Sequence, residues 1–195
     1  MMRVLAISGS LRRDSHNTAL MRTAAELLPP SVELEFFDGL KLVEPYDQDD
    51  DTGSGPEGAR RLRDAISSAD AVLIATPEYN RSIPGVLKNA LDWASRPKGD
   101  NALWGKPVAV VGASTGMFGG VWAQAETRKV LGASGARVID KDMPVAHAEQ
   151  AFSDDGRLTD IELRGRYTEI LDELIALAEE VGDDTPSGEP ETVAA

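Results

Sequence analysis

The chain of 195 residues contains no cysteine and only two histidines, His16 and His147. The lack of cysteine excludes disulfide bonds, thiolate catalysis and cysteine-ligated metal clusters, and two histidines alone do not make a usual zinc site. No apolar run approaches the roughly 20 residues that a membrane-spanning helix needs. Because the amino terminus also lacks the pattern of a signal peptide, we expect a cytoplasmic protein without membrane contact, whose redox chemistry, if any, comes from a bound cofactor.

Positive charge is scarce, since 20 Lys and Arg against 33 Asp and Glu give a net charge of −13. Nucleic-acid backbones attract clusters of Lys and Arg, so this charge argues against a nucleic-acid partner. It does not exclude a small phosphorylated ligand, because charges act locally, within about 8 to 10 Å, and Arg12 and Arg13 are adjacent. Residues 183–195 have the composition of an acidic disordered tail. Residues 1–182 are predicted to form one domain.

Apolar runs alternate with amphipathic segments five times along the chain. The predicted strands are 4–8, 32–37, 71–75, 107–112 and about 137–145, and the predicted helices are 15–28, 57–69, 82–93, 120–131 and a last helix that opens with a capping box of Thr159 and Glu162. Strict alternation implies a parallel sheet with helices on both faces, a three-layer α/β fold. Five such units fit the doubly wound, flavodoxin-like strand order 2-1-3-4-5, whose ligand crevice lies between the first and third strands.

The segment from Pro77 to Trp93 directly follows the buried third strand and reads PEYNRSIPGVLKNALDW. Ser82 is predicted to cap the third helix, with Pro84 in its first turn. Loops at the carboxyl ends of parallel strands bind ligands in open α/β sheets. This loop carries more polar side chains than a connector of about two to six residues requires, so we expect it to belong to a site.

The loop after the first strand, residues 9–18, reads GSLRRDSHNT. It matches neither the dinucleotide fingerprint nor the P-loop. Hydroxyl, amide and guanidinium groups beside a helix amino terminus are phosphate ligands, and this loop supplies them from Ser10, Arg12, Ser15, Asn17 and Thr18. The alternative is that Ser15 only caps the helix and that Arg12 is a solvated charge.

The two loops contain G-S-x-R-x-x-S-x-N and P-E-Y-N-x-S-x-P-G-x-L-K-N-A-x-D-W. On these motifs the chain resembles the NAD(P)H-dependent FMN reductase family, over roughly residues 1–180. The resemblance implies that the FMN phosphate is held by Ser10, Arg12, Ser15, Asn17 and Thr18. It also implies that the isoalloxazine ring is lined by Pro77, Glu78, Tyr79 and Asn80. Arg81 stands where relatives often have glycine or another residue, so its role stays open.

A third segment, residues 112–120, reads GASTGMFGG and follows the fourth strand. The resemblance makes it a second ring-binding loop, with Ser114, Thr115 and Gly116 at the cofactor, and its glycines allow close backbone approach to a flat ligand.

The same segment contains G-x-S-x-G, the nucleophile-elbow pattern, and Asp140 and His147 follow in the order of a hydrolase triad. A small serine hydrolase with Ser114 as nucleophile is therefore one alternative. Against it, Asp140 and His147 are only seven positions apart, no H-G-G-G motif supplies an oxyanion hole, and the first two loops would have no use. A second alternative is a flavodoxin-like electron carrier, whose acidic surface would dock on basic partner proteins.

The resemblance implies ping-pong hydride chemistry, in which NADPH or NADH reduces bound FMN and the flavin then reduces a small-molecule acceptor such as a quinone. Because the flavin carries the reaction, we expect no catalytic side chain and no metal. A homodimer or homotetramer is also implied, with the helices that start at Ser82 and Gly120 near the contact. Independently, the apolar surface of residues 86–93 exceeds what a solvent-facing helix needs.

Overall fold

The structure, a computed structural model, describes residues 1–184. Its strands are β1 (Met2–Ser8), β2 (Val32–Phe36), β3 (Ala71–Ala75), β4 (Pro107–Ala113), β5 (Arg137–Val138) and β6 (Pro144–Val145). Its α-helices are α1 (His16–Leu27), α2 (Glu57–Ser68), α3 (Gly85–Ala94), α4 (Val121–Ala133), α5 (Ala148–Ala151) and α6 (Ile161–Asp184), and two 3₁₀ helices span Leu40–Leu42 and Gln48–Asp50. None of the helices in this described part of the chain is both long and apolar enough to cross a membrane.

All strand pairs are parallel, in the order β2-β1-β3-β4-β5, and β6 also pairs with β4. This arrangement confirms the predicted flavodoxin-like order. Ser8 is paired with Ala75 at the ends of β1 and β3, and Ala75 is paired with Val111 near the end of β4. The loops that leave these three central strands therefore start side by side at one edge of the sheet.

Two apolar cores confirm the three layers. One core packs α1 and α6 against one face of the sheet, around Leu20 and Leu174, and the other packs α2, α3 and α4 against the opposite face, around Leu62, Leu87 and Leu131. β3 and β4 are buried along their whole lengths because both of their faces are covered. β2 alternates partly buried and exposed residues, as expected for an edge strand.

The predicted fifth strand is divided into two short strands. β5 pairs with the first two residues of β4, Pro107 and Val108, and β6 pairs with its last two residues, Gly112 and Ala113. Between them the chain leaves the ladder, and two of its charged residues form ion pairs with flanking helices. Lys141 pairs with Glu173 of α6 at 2.7 Å, and Asp142 pairs with Arg128 of α4.

The predicted start of α3 at Ser82 is wrong by three residues, and Ser82 is not its cap. The Ser82 hydroxyl donates to the Glu126 carboxylate of α4 at 2.6 Å, and its backbone exchanges two hydrogen bonds of 3.1 Å with Tyr79. Pro84 occupies the N-cap position, and no side chain caps the helix there. Ser82 therefore closes a tight turn instead of starting a helix.

The predicted capping box of α6 is also wrong. Asp160 Oδ1 accepts the Leu163 N–H at 3.0 Å, whereas the Thr159 hydroxyl donates to the Ala151 carbonyl at 3.1 Å. At its other end, α6 continues to Asp184, so the first two residues of the predicted acidic tail are helical. The rest of that tail, residues 185–195, lies outside the described residues. The other helix ends lie at the predicted positions or within two positions of them.

Candidate active site

A cavity of about 310 Å³ lies where the loops after β1, β3 and β4 meet. It is lined by Ser10, Arg12, Ser15, His16, Asn17, Pro77, Glu78, Tyr79, Ala113, Ser114 and Thr115. All predicted site residues except Thr18, Asn80 and Gly116 are among them. The structure thus brings the three loops, which were singled out separately in the sequence, to one site at the predicted crevice.

One end of the cavity is suited to an anion. Ser15 caps α1, and its Oγ accepts the N–H groups of Asn17 and Thr18 at 3.2 and 3.4 Å, which leaves its own hydroxyl proton for a ligand. The Arg12 guanidinium is exposed and has no hydrogen-bond or ion-pair partner within residues 1–184. An unpaired cation beside a helix amino terminus and a free hydroxyl is the donor set that binds phosphate.

Asn17 is 3% exposed, and its side chain spans two loops. Its Nδ2 donates to the Ala113 carbonyl at 3.0 Å, and its Oδ1 accepts the Ala113 N–H at 2.9 Å. One N–H of the amide is left over, so a contact from Asn17 to a phosphate stays a prediction. The bonds that are formed fix the start of α1 to the end of β4.

Glu78 fixes the second loop to α4 in a similar way. Its Oε2 accepts the N–H groups of Trp122 and Ala123 at 3.0 and 3.1 Å. These are free donors in the first turn of the helix, and Gly120 at the N-cap has no side chain to satisfy them. Glu78 therefore reaches the cavity wall as a carboxylate that is already hydrogen-bonded.

A tight turn projects beyond the cavity at Tyr79 to Ser82. Its two central residues, Asn80 and Arg81, have φ angles of 54° and 61°. Two positive φ angles in succession are typical of a type I′ turn, which asparagine adopts readily and arginine at a cost. The Arg81 guanidinium lies 5.3 Å from the centroid of the Trp122 ring, in a cation–π contact.

Three predicted residues do not line the cavity. The Thr18 hydroxyl donates to Ser8 Oγ at 3.1 Å and borders a different cavity on the other side of the first loop. Asn80 lies in the projecting turn. The Gly116 N–H donates to Ser114 Oγ at 3.1 Å, and the Gly116 carbonyl accepts the His147 N–H at 3.2 Å. Contacts of these three residues with a cofactor stay predictions.

Two lining residues, His16 and Ala113, were absent from the predicted set. Ala113 belongs to the predicted third segment, residues 112–120, but had no assigned contact, and the structure makes it the last residue of β4. His16 is the first helical residue after the cap, and that position was its one sequence signal. Burial lowers the pKa of His16 below its usual value, Arg12 lowers it further, and Glu149 opposes both.

The hydrolase arrangement is not formed. Within residues 1–184 no hydrogen bond joins Ser114, Asp140 and His147, and the last two are exposed. A nucleophile elbow also needs a helix directly after the serine, whereas α4 begins only at Val121. The same described residues contain no group of three or more His, Cys, Asp or Glu placed to hold a metal.

A sequence profile of the family described as NADPH-dependent FMN reductase matches residues 2–150. The chain belongs to this family. An NAD(P)H-dependent FMN reductase of Pseudomonas aeruginosa is 42% identical over 163 residues, which are 83% of this chain and 87% of that protein. A 2-hydroxy-1,4-benzoquinone reductase of a Burkholderia species is 40% identical over 178 residues, 90% of this chain and 95% of the relative.

A solved structure of similar fold is FerB, a flavoenzyme NAD(P)H:(acceptor) oxidoreductase from Paracoccus denitrificans. The two structures superpose with a TM-score of 0.80, and their sequences are 37% identical. The superposition covers 92% of this chain and 98% of the FerB chain. Membership of the FMN reductase family confirms the expectation of an FMN-dependent oxidoreductase that uses NAD(P)H. Neither the electron carrier nor the serine hydrolase is favoured.

Proposed function

We propose that the chain is an NAD(P)H-dependent FMN oxidoreductase that reduces a quinone or a related small acceptor in a ping-pong cycle. The observation that carries the proposal is the unpaired Arg12 guanidinium beside the Ser15-capped start of α1, in the same cavity as the loops after β3 and β4. The relatives named for quinone reduction support this class of acceptor. As a user of NADH or NADPH, the enzyme would work in the cytoplasm.

The donor set fits the cofactor. Ser10, Arg12 and Ser15 would hold the phosphate, and the wall formed by Pro77, Tyr79 and Thr115 would lie against the ring. When bound, FMN supplies the hydride chemistry. The residues of this chain bind and orient, because no side chain in the cavity needs to exchange a proton for that chemistry. The separate contributions of Asn17, Thr18, Asn80, Ser114 and Gly116 belong to the proposal as well.

The acceptor and the nicotinamide would meet the cofactor beside an exposed apolar surface, here called the aromatic rim, that consists of Tyr79, Met117, Phe118 and Trp122. Their exposed fractions are 53%, 67%, 51% and 39%. The Phe118 and Trp122 rings pack edge to face, with centroids 4.7 Å apart. Flat aromatic molecules such as a nicotinamide or a quinone stack on surfaces of this kind.

The first experiment compares the affinities of FMN and riboflavin, which differ by the phosphate. We expect the purified protein to be yellow, or to become so with FMN, and to bind FMN far more tightly. Arg12→Ala should weaken FMN binding by about 1 to 3 kcal/mol and leave riboflavin binding unchanged. Arg13→Ala is the matched control, because Arg13 is the adjacent arginine and does not line the cavity. Equal affinities for FMN and riboflavin would exclude the phosphate site.

The second experiment separates the enzyme from the two alternatives. NADH or NADPH alone should bleach the bound flavin, and a quinone should restore its colour, with parallel lines in a double-reciprocal plot. Ser114→Ala should keep this activity. An electron carrier would not be bleached by the nicotinamides alone, and a serine hydrolase would turn over esters and lose that activity in Ser114→Ala.

We also propose a homodimer or homotetramer, on grounds that differ from those in the sequence. In α3, Leu87, Leu91 and Trp93 are buried in their own subunit and Val86 is partly buried, so this helix offers little apolar surface for a contact. The aromatic rim at the start of α4 offers more exposed apolar surface, and a second copy packed beside it would form the nicotinamide cleft together with this chain. Light scattering should give a multiple of 20.8 kDa, and Trp122→Glu should reduce it. A fully active monomer would contradict this part of the proposal.

A further inference from the structure

His16 stands at the anion-binding end of the cavity as the first residue of α1. One face of its ring stacks on Phe152, with centroids 5.6 Å apart and planes inclined by 22°. Within residues 1–184, no protein group hydrogen-bonds to either ring nitrogen. The ring is therefore held in place by packing alone, and its polar edge is available to a ligand.

The surroundings of His16 disfavour the charged form of its imidazole. Burial and the neighbouring Arg12 lower the pKa of His16, and Glu149 of α5 partly offsets them. Further charged groups face the ring from the adjoining cavity: Asp14 before α1, Arg22 on α1, and Asp154 and Asp155 after α5. A phosphate dianion placed beside Arg12 would reverse this balance, because an opposite charge nearby favours the protonated imidazole.

We propose that His16 is a further phosphate-binding residue, and that its imidazole takes up a proton when FMN binds. The inference rests on the proposed FMN site. A protonated His16 would add a positive charge beside the phosphate, so FMN affinity should gain most from His16 when the proton is available. FMN should consequently bind more tightly as the pH falls from about 8.5 to about 6.5, the range in which a histidine gains its charge.

The test compares wild type with His16→Phe, which keeps a ring to stack on Phe152 but has no nitrogen. The FMN phosphate itself titrates near pH 6. This titration affects both proteins, so dividing the FMN dissociation constant of His16→Phe by that of wild type at each pH removes its contribution. We expect the ratio of His16→Phe to wild type to rise severalfold between pH 8.5 and pH 6.5 and to approach about tenfold only at lower pH, which is the limit for a pKa difference of about one unit between free and bound protein. Riboflavin should show no such rise.

A direct readout is available because the chain has only two histidines. Proton NMR titration of the imidazole resonances should show the pKa of His16 rising on addition of FMN, and the His147 resonance serves as the internal reference. Calorimetry at pH 7.5 in two buffers of different ionisation enthalpy should detect proton uptake in wild type and in the control His147→Asn, and less in His16→Phe and His16→Asn.

The outcomes distinguish this proposal from the function on which it rests. If wild type prefers FMN to riboflavin, but His16→Phe takes up as many protons and the resonance of His16 does not shift, then His16 only packs on Phe152 and the inference is wrong. If wild type does not distinguish FMN from riboflavin, the phosphate site itself is wrong.

Discussion

Asn17 and Ala113, 96 positions apart in the chain, exchange two hydrogen bonds of 3.0 and 2.9 Å through the Asn17 carboxamide. The bonded groups are buried, so that removing either partner leaves a polar group without water. The pair joins the proposed phosphate loop to the end of β4, where the third loop begins.

Asn17→Ala should lower the free energy of unfolding by about 1 to 3 kcal/mol, because the N–H and C=O groups of Ala113 lose their partner. Urea unfolding measures this loss. Asn17→Asp keeps an acceptor for the Ala113 N–H but loses the donor and adds a negative charge, so it should weaken FMN binding more than Asn17→Ala does. An Asn17→Ala protein of unchanged stability would show that this pair does not hold the loops.

Glu78→Ala should destabilise the protein by about 0.5 to 2 kcal/mol, the usual cost of a lost helix cap. The reason is that Trp122 and Ala123 lose the acceptor for their N–H groups. Glu78→Gln keeps a side-chain oxygen and should lie between wild type and Glu78→Ala. Hydrogen exchange of the Trp122 and Ala123 amides should become faster from wild type to Glu78→Gln to Glu78→Ala. Unchanged exchange in Glu78→Ala would contradict the cap.

Tyr167→Phe should leave the protein equally stable or stabilise it by about 1 kcal/mol. The Tyr167 hydroxyl is fully buried without a hydrogen-bond partner in the described part of the chain, and burial raises its pKa far above the usual value, so it stays protonated. Tyr46→Phe is the matched control. It should destabilise the protein, because the Tyr46 hydroxyl accepts a hydrogen bond of 3.1 Å from Arg96 Nε. Thermal unfolding compares the two variants, and a less stable Tyr167→Phe would point to a missed partner.

Glu44→Gln should destabilise the protein at pH 7 and have a smaller effect in acid. Hydrogen bonds from its own backbone N–H and from those of Gly58 and Ala59 lower the pKa of Glu44 below the ordinary 4.5. A carboxyl group with a lowered pKa stabilises the folded state above its unfolded pKa, and this contribution is lost as the pH falls through the folded pKa. Urea unfolding between pH 7 and pH 3 should show that the difference in the free energy of unfolding between wild type and Glu44→Gln becomes smaller below about pH 4.5. Glu57→Gln, in the first turn of α2, is the control without such bonds.

The sheet could be predicted from the sequence because its central strands are continuous apolar runs. Such runs can be identified locally, without knowing which residues they contact in the folded protein. The helix starts were less predictable. Glu44 and Glu78 cap α2 and α4 from 14 and 44 positions away, and Ser82 bonds to Glu126 instead of capping α3. A local pattern cannot reveal which distant carboxylate will satisfy a helix terminus.

The candidate site was likewise predictable in its location but not in the orientation of each side chain. Motif and topology together placed three loops at one crevice, whereas the direction of single side chains depended on contacts made in the folded protein. Ser15 and Thr18 carry equivalent hydroxyls near the start of α1, but only Ser15 faces the cavity. Thr18 is turned to Ser8 by a hydrogen bond. The position of His16 in the chain placed it at the phosphate loop, but an imidazole beside a cap has no distinctive sequence pattern that assigns it a contact.

The cross-links that fasten the loops, from Asn17 to Ala113 and from Glu78 to Trp122, are made entirely by the protein. Neither contact requires the cofactor, so we expect the protein to fold without it. Bound FMN adds stability only by mass action, about 2.7 kcal/mol when its free concentration is a hundred times the dissociation constant. In a cell, the concentration of FMN would then set the fraction of the folded protein that carries the cofactor and is active. The rest would be folded protein without FMN.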